Sequence, residues 1–166
     1  MHQIIQTSLM YGLDRVDHLI EIVAKQSDPN ALLQSRLTDD MLDLRNQLSI
    51  AIGFTLRTVL PLCGRENIDL GIAESLDDLR ELLAKARITL GQINSNDLIG
   101  EDQSISHQAG FADLIQCPVD YAGQFAIPNM WFHISMAYAI LRLNGVKISK
   151  GDFDGLHSYS AEFSFD

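Results

Sequence analysis

Cysteine, basic residues and catalytic signatures are what this chain has little of, and each shortage removes a class of function. Its two cysteines, Cys63 and Cys117, stand far apart with no C-x-x-C or Cys/His spacing near either. That spacing excludes a disulfide scaffold or a zinc knot and predicts free, buried thiols in a reducing compartment. Twelve Lys and Arg face 22 Asp and Glu, a formal net charge of −10. Such a field repels phosphate backbones and anionic lipid surfaces, so neither nucleic acid nor membrane is an expected partner. No window approaches about 18 uninterrupted apolar residues, and "MHQIIQTSLMYGLDRVDHLIEIV" lacks the basic flank of a secretory signal, which predicts a cytoplasmic protein. A Gly-rich phosphate loop, a G-x-S-x-G elbow, H-E-x-x-H and a paired H-x-x-x-H are all missing. Catalytic residues therefore stay unassigned, and weight shifts toward binding.

What is present is a strong helical period in a chain of 166 residues, 46% hydrophobic, long enough to bury one core without staples. Ile5, Leu9, Leu13, Val16, Ile20 and Val23 recur at three- and four-residue steps, predicting a helix over about 2–27. Leu32, Leu33 and Leu37 lead into a second helix over about 40–62, whose stripe is Leu44, Leu48, Ala51, Ile52, Thr55, Leu56 and Val59. Ser75, followed by Asp77 and Asp78, reads as the N-cap of a third helix striped by Leu76, Leu79, Leu82, Leu83, Ala86 and Leu90. The polar run "NSNDLIGEDQSISHQ" reads as an irregular loop. Met130, Trp131, Ile134, Ala137, Tyr138 and Leu141 mark the last helix, with Gly145 just past its end and a break expected at Pro128. Four long amphipathic segments without β alternation predict an all-α, antiparallel four-helix bundle forming a single domain over 1–166. The tail carries Phe153, Tyr159, Phe163 and Phe165, too aromatic to stay unpacked; it is expected on the bundle or on a partner subunit.

Of the five histidines, His2, His107 and His157 fall in terminal or polar segments and His18 on the polar face of the first helix, so all four read as solvated. His133 alone lies in an apolar stretch, one turn after Asn129 and on the same helical face. A buried imidazole must find hydrogen-bond partners, and Gln47, on the margin of the second stripe, is a candidate.

"IPNMWFHISMAYAILRLNG" followed by "VKISKGDF" resembles the closing signature of an uncharacterised bacterial family within the DinB/YfiT-like superfamily: P-N, aromatic residues, His, then A-Y-x-I-L-R-x-N-G-V and K-x-D-F. The family's glutamine in mid-helix two is matched by Gln47. The resemblance implies a four-helix bundle connected up-down-down-up, commonly a homodimer, with no assigned activity. It also implies a site. Superfamily members with a working metal centre hold a divalent ion such as zinc or nickel by one histidine from helix two and an H-x-x-x-H pair on the last helix. His133 matches the second member of that pair, Asn129 falls where the first should be, and Phe54 aligns to the helix-two histidine. An imidazole, an amide and a phenyl ring are a poor nitrogen set for such ions. The expectation is therefore a degenerate, metal-free site in which Gln47, Phe54, Asn129, Trp131 and His133 line a pocket for a small molecule or stabilise a dimer. The alternative is a metal-dependent thiol transferase or hydrolase in which Asn129 and His133 are joined by an inward carboxylate, Asp43 or Asp14.

Overall fold

The computed structural model describes residues 2–159. The helical stripes each find a partner. Helix α1 (His2–Ala24) buries its full expected stripe together with Leu19. It stops at Ala24, before the polar Lys25 and Gln26, and Asp28 then caps a short α2 (Pro29–Leu33) by accepting from Ala31 N–H. Helix α3 (Leu44–Leu62) begins only after Asp43, whose carboxylate takes the Asn46 N–H at 2.8 Å, so the expected start near residue 40 comes too early. Helix α4 (Leu76–Gly91) opens on the Ser75–Asp78 capping box, with both reciprocal bonds formed.

The long helices form a helical bundle. Helix α3 lies against α4 on one side and, most extensively, α6 (Ile127–Leu143) on the other, while α1 packs on α4 and α6. Arg45 in the first turn of α3 pairs with Glu74, just before α4, and Ser49 Oγ accepts from Ala73 N–H at 3.1 Å. Arg80 of α4 reaches Glu21, and Arg87 reaches Asp14 and Asp17, across to α1. Where α1 meets α6, the Met130 thioether fills the space over Gly12: a Cβ there would stand 2.5 Å from Met130 Cε and push the side chain aside. No helix among the described residues is long and apolar enough to cross a membrane.

Two expectations need correction. The polar run after α4 holds a 3₁₀ turn, Ser95–Asp97, and then a β-hairpin, β1 (Ile105–Ala109) antiparallel to β2 (Ala112–Gln116), so the fold is mostly but not wholly helical. Gly110, at φ +61°, makes its two-residue turn, and buried Ile105 with half-buried His107 anchors one face on the bundle. Nor does the chain break at Pro128. A first turn, α5 (Pro118–Asp120), runs into a π-helical segment, Tyr121–Ala126, and directly into α6. Ile127 N–H bonds Ala122 C=O, five residues back, so the widened ladder absorbs the register around a residue that has no N–H to give. The segment after α6 buries Val146 and Ile148 and forms α7 (Lys150–Asp154), whose Phe153 meets Trp131 and Tyr138 edge-on. Tyr159 stacks on His157; Phe163 and Phe165 lie outside the described residues.

Candidate functional site

The α3–α6 seam brings His133 to Gln47. Gln47 is buried in α3, its Oε1 is 2.7 Å from His133 Nδ1, and its Nε2 reaches Leu42 C=O at 3.4 Å. An amide oxygen only accepts, so Nδ1 carries the proton and Nε2 holds the lone pair. Phe54 stacks on the imidazole at 5.7 Å. Burial pushes the His133 pKa down to about 4, and no carboxylate contributes to the shift. The ring is neutral at pH 7 and has no acidic neighbour with which to share a proton. Asn129 projects beside it, but its Nδ2 donates to Phe125 C=O at 2.6 Å.

From His133 a row of rings runs along α3 toward the hairpin. Phe54 meets Phe125 at 5.9 Å, Phe125 meets His107 at 4.3 Å, and His107 meets Tyr121 at 4.8 Å. The π segment sets this row, because it supplies both Tyr121 and Phe125. His107 Nε2 is 2.7 Å from Gln116 Oε1, which leaves Nδ1 as a buried lone pair without a partner. Tyr121 donates its hydroxyl to Arg57 C=O, and burial lifts its pKa to about 12 against the pull of the Arg57 charge.

Arg57 is the cation of this face. Its guanidinium lies 5.1 Å from the centres of both Phe54 and Phe125 and donates to Gln108 C=O at 2.6 Å. Two clefts open on either side of it, along the segment that returns from α3 to α4. One, of about 240 Å³, is walled by Ile50, Phe54, Ile68, Leu70 and Ile72; the other, of about 470 Å³, by Arg65, Asn67, Ser106, His107 and Tyr121.

The expected pocket is thus only partly assembled. Gln47, Phe54 and His133 come together with Asn129 beside them, whereas Trp131 faces the other way, against Tyr11 at 5.6 Å and Phe153. Two residues along a helix are about 200° apart, so Trp131 and His133 cannot share a face. Neither acid completes a triad. Asp43 is buried but spent on the α3 cap and flanked by Arg36 and Arg45, and Asp14 pairs with Arg87 at 2.8 Å in the α1–α4 seam. Among the described residues no group of three or more His, Cys, Asp or Glu could hold a metal ion. The donors around His133 therefore do not fit a three-nitrogen centre.

Other single-residue expectations shift as well. His18 is not simply solvated: Nε2 is 2.9 Å from Asp152 of α7. His107 packs in the ring row and His157 pairs with Asp154. Cys63 is half-buried but Cys117 is exposed. Sequence reasoning missed Arg57 altogether, although one signal was available: Gly53 and Arg57 stand one turn apart, and Arg57 is the one charged residue between Ile50 and Leu62.

The chain is similar to known proteins over nearly its whole length. A family model described as "Domain of unknown function (DUF1993)" matches residues 1–154, ending with α7. The crystal structure of a DinB family member protein from Shewanella denitrificans superposes with a TM-score of 0.72 at 29% identity, covering 97% of this chain and 93% of that one. No curated protein matches.

Proposed function

We propose, for a chain that belongs to the DUF1993 family and is DinB-like in fold, a metal-free role: binding a small molecule on the α3 face that carries Arg57, with His133 serving the packing of the bundle. One observation carries the reading. Each group at the superfamily's metal position has a role within the protein: His133 Nδ1 bonds Gln47, Asn129 Nδ2 bonds Phe125 C=O, and Phe54 is a ring stacked on the imidazole with no donor to offer. The lone pairs left over are those of His133 Nε2 and Asn129 Oδ1, one nitrogen and one amide oxygen where a divalent ion needs three or four donors. On the adjoining face, by contrast, two clefts flank a guanidinium.

The same reading takes the bundle as four helices in up-down-down-up order. Pairing of Arg45 with Glu74 sets the starts of α3 and α4 side by side, which supports parallel neighbours joined by a crossover. The Arg80–Glu21 and Arg87–Asp14 pairs support α4 running opposite to α1.

Metal analysis of protein purified without a histidine tag, before and after dialysis against zinc and nickel, tests the proposal. We expect far less than one ion per chain in both samples, and a His133→Ala protein that melts lower without any change in metal content. One tightly held ion per chain, lost in His133→Ala, would sink the reading and favour a metal-dependent thiol transferase or hydrolase.

A further inference from the structure

We propose that the groove between α3 and the segment 64–72 binds a small organic anion with an apolar body, its charged group held by Arg57. The inference rests on the small-molecule reading above and names the chemistry of the ligand.

Charge is the first argument. In a chain of net charge −10, Arg57 is half-buried and forms no ion pair among the described residues. Arg36, Arg45, Arg80 and Arg87 are each matched to carboxylates; Arg15, over the Tyr11 ring, and Arg142, bonded to Ile148 C=O, are not, but neither lines the two clefts. The Arg57 cation is instead held in place by two ring faces and one carbonyl, an arrangement that fixes its direction without neutralising it. A guanidinium has five N–H donors, so bidentate capacity toward a carboxylate or phosphate remains after the Gln108 bond. Arg65 stands across the larger cleft, its own contact with Asp97 stretched to 3.9 Å.

Shape is the second argument, and it is independent. Gly53 sits in the middle of α3, one turn before Arg57, and a Cβ built there would meet nothing within 4 Å. Glycine weakens a helix interior, and here neither backbone conformation nor a neighbouring side chain asks for it. Its bare surface forms part of the smaller cleft, whose other walls include Ile50, Phe54, Ile68 and Ile72. Ile68 and Ile72 are exposed. An apolar body lying over Gly53 would cover them while its anionic end reached Arg57. The larger cleft, about 470 Å³, lies within the range of ordinary small-molecule sites, and the smaller, about 240 Å³, just below it, so the two together suit a small ligand that spans them at Arg57.

Isothermal titration of the full chain with octanoate, octyl phosphate, octanol and octylammonium tests the proposal. The expected result is that at least one of the two anions binds, that the alcohol and the cation bind at least about tenfold more weakly, and that the stronger anion tells carboxylate from phosphate. Arg57→Gln should weaken the anion by about tenfold or more and leave octanol unaffected. Because that variant also loses the Gln108 contact, Gly53→Ala and Gly53→Leu provide the second test. The first should raise the Tm, and the second should abolish binding in a protein that still folds. Absence of binding by both anions at millimolar concentration, equal binding of octanol, or unchanged binding in Gly53→Leu would overturn the inference. Failure here leaves the metal content untouched, so it is distinguishable from failure of the metal-free reading.

Discussion

The neutral imidazole at His133 makes the stability of this protein depend on pH in a calculable way. Its pKa is about 4 in the folded chain because burial disfavours the charged ring, against an ordinary value of 6.5. The unfolded chain therefore takes up the proton first as pH falls, so the contribution is complete above the unfolded value and is lost as pH drops through 6.5 toward 4. Between pH 7.0 and pH 4.5 the full shift corresponds to about 2.4 kcal/mol. His133 is half-buried, so solvent screens the effect and brings the expected loss to between about 1 and 2 kcal/mol. Carboxylates and the other histidines also titrate in this range, so the measurement is a difference. Urea unfolding of wild type and His133→Gln at both pH values yields two slopes of ΔG against pH. Wild type should lose more stability than the variant by the amount given. Slopes that agree within about 0.3 kcal/mol would refute the buried, uncharged state of His133.

Two further outcomes follow from the tail and the thiols. Phe153→Ala removes a half-buried ring from Trp131 and Tyr138 and should cost about 1–2 kcal/mol in urea unfolding, with a red shift of Trp131 emission; unchanged emission would mean that α7 does not rest on α6. With a thiol reagent at pH 8, exposed Cys117 should react at once. Cys63, whose pKa burial raises despite nearby Arg65, should react only on unfolding, and Cys117→Ser should remove the fast phase.

The helices were legible because their apolar residues recur at a period that no other element shares. Ser75 and its aspartates even marked the first turn of α4. The hairpin was not, because β2 is almost entirely exposed and so carries no alternation for burial to imprint. Continuity through Pro128 was hidden for a different reason: a π turn leaves no composition signal, and proline ordinarily reports a break. At the site, Gln47 could be proposed as the partner of His133 from its place at the edge of a stripe. Trp131 could have been excluded by angle alone, since two positions on a helix point apart. Arg57 escaped notice because its partners are rings and a carbonyl from three separate elements, and only the folded chain brings these together.

The π stretch from Tyr121 to Ala126 works as a gear between groove and core. Each such turn holds one residue more than an α turn, so the chain before it is out of phase with the chain after it by about 100° relative to an unbroken helix. That offset lets Tyr121 and Phe125 meet His107 while Met130, Ile134 and Ala137 keep to the buried face. Deleting one residue there would straighten the ladder and rotate the hairpin's attachment by the same angle, carrying the ring row off Arg57 and displacing buried Tyr121 and Ala122 while the α6 stripe stays in place. Geometry of the Arg57 face is thus set by the length of one segment as well as by the identity of its residues.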